Sequence, residues 1–226
     1  MVHRKIPSIN HPCKGRNMKE VQGWWLPDQE SHITTYFDAI KQPQYQPIHQ
    51  QAVVKHCKQF RTAVDIGAHV GLWARGLTEK FDKVICFEPC DEFADILPHN
   101  APKVHTIHRC ALGKTDTHVT MNIAPDNTGS THVARGQEGM TPMFPLDRFQ
   151  LTDIDLIKID VEGYELDVIK GAVETLKNND PVLIVEQKDR YVIPEEGKHA
   201  AVRFLMKELQ YRIIGRVVDD WILRKI

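Results

Sequence analysis

The chain has 226 residues, 42% of them hydrophobic and 26% charged, with 29 Lys and Arg set against 30 Asp and Glu for a net charge of −1. Such a length and balance describe one globular domain that can bury its own core, and they exclude a disordered or fibrous chain. With no basic excess, neither bulk nucleic acid nor an anionic membrane is an expected partner.

The first 45 residues differ from the rest. They hold Pro7, Pro12, Pro27 and Pro43 and the pair Trp24-Trp25. Asp28 is a candidate cap for a helix with Ile33, Tyr36, Phe37 and Ile40 on one face. A second helix is expected over 47–59. Residues 1–60 therefore read as an N-terminal helical cap, and Trp24-Trp25 as either an aromatic lid or packing for that cap. From residue 62 short apolar runs alternate with helical patterns. Strands are expected at 62–66, 83–87, 103–108, 155–159 and 181–185, with helices at 72–81, 91–99, 162–178 and 195–209 between and after them. At the end, Tyr211-Arg-Ile-Ile and Trp221-Ile-Leu-Arg flank Asp219-Asp220 at hairpin distance. Alternation of this kind implies right-handed βαβ units. The expected fold is α/β: a Rossmann-like, doubly wound sheet of five parallel strands plus a C-terminal antiparallel hairpin, spanning 61–226. Residues 113–145 break the alternation and read as an inserted strand pair and loop.

No apolar run reaches the roughly 18 residues of a membrane span. Met1 to Pro7 lack a hydrophobic leader core, so a cytoplasmic location is expected. The five cysteines (Cys13, Cys57, Cys86, Cys90 and Cys110) form no CxxC pair and are expected to be reduced. The twelve histidines show no metal-ligand spacing, and no metal is expected.

The first strand leads into Val64-Asp-Ile-Gly-Ala-His-Val-Gly71. In open α/β sheets ligands bind beyond the carboxyl ends of the strands, near the reversal in strand order. Gly67 permits a sharp turn, and Gly71 permits a helix to start close to a ligand. No Gly-Lys-Ser/Thr follows, so this is not a P-loop. His69 and Leu72 stand where a dinucleotide fingerprint needs glycines. A carboxylate at Asp65 would repel a pyrophosphate but suits a ligand with cationic groups. Glu88, in Phe87-Glu-Pro89 at the end of the second strand, suits ribose hydroxyls. Together they favour S-adenosylmethionine, with Asp65, Gly67, Ala68, His69, Gly71, Glu88 and Pro89 around it. Ala111, after the third strand, is the expected contact for its base.

The stretch Asp155-Leu-Ile-Lys-Ile-Asp-Val-Glu-Gly-Tyr-Glu-Leu-Asp-Val-Ile-Lys-Gly-Ala172 resembles the signature of the FkbM family of S-adenosylmethionine-dependent methyltransferases. Val64-Asp-Ile-Gly67, Phe87-Glu-Pro89, Asn100, Ala111-Leu-Gly113 and Val185-Glu186 support the resemblance in the right order. It implies a class I methyltransferase fold and O-methylation of a hydroxyl on a sugar or other small metabolite. His69 departs from the Asn more frequent in that family, so the methionine end of the cofactor would be held differently.

Transfer from a sulfonium is an in-line displacement, and a hydroxyl acceptor must also lose a proton. Asp160, which also borders the expected cofactor site, leads the candidates for the base. Glu162 and Glu186, at the tips of neighbouring strands, follow. Glu162 followed by Glu165 is also good chemistry for opening a helix. Lys158 would pair with an acid or line the pocket. The competing readings are N-methylation of a nucleobase or another amine, a cofactor-binding module without turnover, and a nicotinamide-linked oxidoreductase. Homo-oligomerisation is left open.

Overall fold

The structure is a computed structural model that describes residues 18–40, 44–124 and 126–225. Cys13 and three of the cap's prolines, Pro7, Pro12 and Pro43, lie outside the described residues. The described residues open on a hairpin, β1 (Met18–Val21) and β2 (Trp24–Pro27). Its turn, Gln22-Gly23, has φ of 51° and 81°, the primed geometry that suits tightly paired strands. The cap is therefore not purely helical. The helices α1 (His32–Ile40) and α2 (Pro47–Val54) follow, and α2 stops short of residue 59. The cap of α1 is not Asp28 but Glu30, whose Oε1 accepts the Ile33 N–H at 2.7 Å.

The main domain runs β3 (Thr62–Ile66), α3 (Ala74–Leu77), β4 (Lys83–Phe87), α4 (Asp91–Asn100) and β5 (Thr106–His108). An insert follows: β6 (Ala111–Leu112), β7 (Thr117–Asn122), β8 (His132–Ala134) and β9 (Thr141–Phe144). It forms a separate four-stranded sheet in the order β6-β9-β7-β8, larger than a strand pair. The chain then returns through β10 (Ile154–Ile159), α5 (Glu165–Lys170), α6 (Val173–Asn179), β11 (Val182–Glu186), α7 (Ala200–Glu208), β12 (Tyr211–Val217) and β13 (Asp220–Lys225).

The seven-stranded sheet has the order β12-β13-β11-β10-β3-β4-β5. Strands β5, β4, β3, β10 and β11 are parallel. The hairpin β12–β13 adds to β11 in antiparallel sense. The chain winds outward from β3 to β5 and then back to β10 and β11, so strand order reverses between β3 and β10. Both faces are covered, which is why β11 is apolar at consecutive positions. Leu183 and Val185 face a core with Val168, Leu176 and Leu205, whereas Val182 and Ile184 face one with Val53, Trp73 and Leu77. A third cluster joins Trp24, Leu26, Ile33 and Phe37 of the N-terminal segment to Val70, Phe93 and Ile96. Trp24 is thus core packing, stacked on Phe37 at 5.5 Å between centroids. No helix among the described residues is long and apolar enough to cross a membrane.

Candidate active site

The reversal point between β3 and β10 opens into a cavity of about 350 Å³. Its first wall is the turn after β3. Gly67 has φ of 76°, and a Cβ there would fall 1.9 Å from the Asp160 carbonyl oxygen. Only glycine lets this loop cross the tip of β10. The N–H groups of Gly67 and Ala68 both donate to the Phe87 carbonyl, at 3.0 and 3.1 Å, which ties the loop to β4.

Glu88 closes the end beyond β4. Its Oε2 accepts the His69 N–H and its Oε1 accepts the Cys90 N–H, each at 2.8 Å. Burial pushes its pKa up to about 7, against the pull of those two donors. Pro89 lines the cavity beside it, and Cys110, Ala111 and Leu112 form an apolar wall. His69, at φ 52°, also lines the cavity. Burial lowers its pKa to about 3, so the ring is neutral.

Asp65 and Gly71 lie behind this wall. Asp65 is fully buried, and its Oδ1 is 3.2 Å from Lys158 Nζ, directly across the β3–β10 pairing. The same ammonium is 3.6 Å from Asp160 Oδ2 and donates to the Gly67 carbonyl at 3.1 Å. Burial works against its charge, but Asp65 and Asp160 outweigh that and hold Lys158 protonated. Lys158 therefore both pairs with acids and lines the pocket. The acid the sequence marked as a cofactor contact has a lysine as its partner.

At the other end, oxygens of Asp160, Glu162 and Glu186 lie within 4.8 Å of one another. Lys188 sits between two of them, at 2.7 Å from Glu162 Oε1 and 2.6 Å from Glu186 Oε2, and serves as their counterion. Arg190 Nη2 adds a contact of 3.3 Å to Glu162 Oε2. Asp160 and Glu186 are hydrogen-bonded to each other and titrate as a pair. Burial and the neighbouring Asp160 push Glu186 up. Burial also disfavours charge on Asp160, but Lys158 and Lys188 prevail and bring it below its ordinary value. The shared proton rests on Glu186, and Asp160 is the ionised member.

Glu162 does not open a helix. It has φ of 54° and Gly163 of 101°, and α5 begins only at Glu165. Glu165 instead braces the turn that leads into α5: its Oε1 accepts the Gly163 N–H at 2.9 Å. Tyr36, Tyr45 and Gln46 from the N-terminal segment and Thr128 from the insert complete the lining. Sequence reasoning passed over Lys188, Arg190 and Tyr45. The available signal for Lys188 was its place two residues beyond Glu186, on the continuation of β11.

A family model described as the methyltransferase FkbM domain matches residues 65–213, well over half of the chain. The chain belongs to the FkbM methyltransferase family. Among curated relatives, the hexuronic acid methyltransferase AglP of Haloferax volcanii is 25% identical over 169 residues, covering 69% of this chain and 70% of that protein. Among solved structures, methyltransferase FkbM from Methylobacillus flagellatus KT aligns with a TM-score of 0.50 at 20% identity, over 73% of this chain. That alignment takes in 43% of the solved chain, so this FkbM chain spans less than half of that protein's length. The family match begins at Asp65, and the hairpin β1–β2 and helices α1 and α2 lie outside it.

Proposed function

We propose that this FkbM-family chain uses S-adenosylmethionine to methylate a hydroxyl on a small polar metabolite, a sugar foremost. The observation that carries this reading is one cavity with a buried carboxylate at each end: Glu88 beyond β4, and Glu186, beside the half-buried Asp160, beyond β10 and β11. The residues fit the cofactor. Each Glu88 oxygen uses one acceptor site on a backbone N–H, leaving capacity for two ribose hydroxyls. The wall of Cys110, Ala111 and Leu112 suits the face of a flat base. His69 Nδ1 is a buried acceptor with no protein partner among the described residues. When bound, S-adenosylmethionine supplies a methyl group on a sulfonium.

The chain's own contribution is orientation and proton handling. Asp160, held ionised by Lys158 and Lys188, takes the proton of an acceptor hydroxyl, a role worth roughly 10²–10⁴-fold in rate. Glu186 keeps its proton and steadies Asp160 through their hydrogen bond. Glu162, tied to Lys188 and Arg190, holds those cations at the cavity wall, where they suit a polar or acidic acceptor. The relative named as a hexuronic acid methyltransferase puts uronic acids first in an acceptor screen.

Calorimetric titration with S-adenosylhomocysteine at pH 6, 7 and 8 tests the cofactor. Because the Glu88 carboxyl titrates near 7, affinity should rise with pH across this range as the acceptor-only form fills. Glu88→Gln should bind about 10-fold more weakly, with a flat pH profile. No binding to a folded, ligand-free wild type would sink the reading. With an acceptor found, Asp160→Asn should lower kcat by roughly 10²-fold or more while changing the affinity for S-adenosylhomocysteine far less.

A further inference from the structure

Glu30 is a fully buried carboxylate that the proposed chemistry does not use, and it lies outside the residues matched by the family. Three donors converge on it. The Ile33 N–H reaches Oε1 at 2.7 Å, and Thr128 reaches Oε2 with its N–H at 2.6 Å and its hydroxyl at 2.5 Å. A threonine hydroxyl has one proton to give, and here it goes to Glu30. Toward its other neighbour Thr128 Oγ1 can only accept. That neighbour is His69 Nε2, 2.8 Å away.

Hydrogen-bond bookkeeping then settles the imidazole. The ring is neutral, so it has one proton, and Thr128 requires that proton on Nε2. Nδ1 is left as a bare lone pair, buried and without a partner among the described residues, on a ring that lines the cavity. The ring cannot drift, because the His69 N–H is bonded to Glu88 and the ring packs edge-on against Phe93 with centroids 4.4 Å apart.

We propose that Glu30 and Thr128 are positioning residues that hold His69 in the Nε2–H form, so that Nδ1 accepts a hydrogen bond from an O–H or N–H donor of the bound cofactor. The ligand half of this rests on the cofactor reading above. The order of protons does not. Three segments meet in this chain of bonds: the turn before α1, the insert between β7 and β8, and the turn after β3. A change in the N-terminal segment is thereby felt at the cofactor.

The test combines ring nitrogen chemical shifts of ¹⁵N-labelled protein with calorimetry, His69 being assigned by comparison with His69→Gln. In the ligand-free wild type the His69 ring should carry its proton on Nε2. Thr128→Val keeps the shape and the N–H to Glu30 but removes the acceptor. Its affinity for S-adenosylhomocysteine should fall about 5- to 10-fold, and Thr128→Ser should restore it. A wild-type ring protonated on Nδ1 would overturn the proposal, and this is read without any variant. So would a folded Thr128→Val protein that binds S-adenosylhomocysteine as tightly as wild type. An Nε2–H ring in a wild type that binds no S-adenosylhomocysteine overturns the cofactor reading, and the ligand half of the proposal with it.

Discussion

Lys158 illustrates how one residue on a strand can set the electrostatics of the whole site. It lies on β10 with Asp65 on the adjacent strand and Asp160 two residues on, and its ammonium is within 3.6 Å of both carboxylates. Buried ions of this kind are kept by one another, and removing one partner leaves an uncompensated charge. Lys158→Met should cost about 3–5 kcal/mol of stability. Asp65→Asn combined with Lys158→Met should recover part of that loss, and a double-mutant cycle by denaturant unfolding measures the coupling. The acids were legible in the sequence because Asp65 and Asp160 each end an apolar run. Lys158 was legible as a partner for an acid, but not that it serves Asp65 as well as Asp160, since the contact with Asp65 exists only once β3 and β10 pair.

At the scale of elements, the expected helix 162–178 is two helices. The four-residue spacing of Tyr164, Val168, Ala172 and Leu176 is helical throughout, so periodicity alone gives no reason for a break. The break comes from packing: a Cβ at Gly171 would sit 2.0 Å from the Gly113 carbonyl oxygen, just after β6. The interrupted helix needs a new cap, and Asp147 supplies it from outside. Its carboxylate accepts the Thr175 N–H and hydroxyl, both at 2.7 Å, and the Glu174 N–H at 3.1 Å. Asp147→Ala should destabilise the protein by about 1–2 kcal/mol, as for other lost caps. Thermal melting reads the loss, and calorimetry should show the affinity for S-adenosylhomocysteine unchanged. The hairpin β1–β2 was missed for a different reason. Gln22-Gly23 between Val21 and Trp24 is a two-residue turn signal, but the segment reads as a helical cap and the turn was passed over.

Over the whole molecule, the N-terminal segment is joined to the methyltransferase domain by a few specific contacts. Asn100 at the end of α4 bonds the backbone of Trp25 in both directions, accepting its N–H at 2.7 Å and donating to its carbonyl at 2.8 Å. It also donates to the Val70 carbonyl at 2.8 Å. The side chain thus acts as a short strand between the hairpin and the turn that follows β3. Asn100→Ala strands these backbone groups, at a cost of about 1–3 kcal/mol. Amide exchange should speed up over residues 18–40, with β10 and β11 still protected.

The sequence by itself determined the alternation of strands and helices, the acids at the ends of the first, second, fourth and fifth predicted strands, and the family resemblance. These depend on local patterns: apolar runs, breaking glycines and a contiguous signature. Only the tertiary structure decided that Asp65 serves Lys158, that Lys188 bridges Glu162 and Glu186, and that Glu30 reaches His69 through Thr128. Apart from Lys188 with Glu186, those contacts join side chains on separate elements, several of them far apart in the chain. Which groups become partners depends on how strands register and loops close, and burial then fixes their protonation.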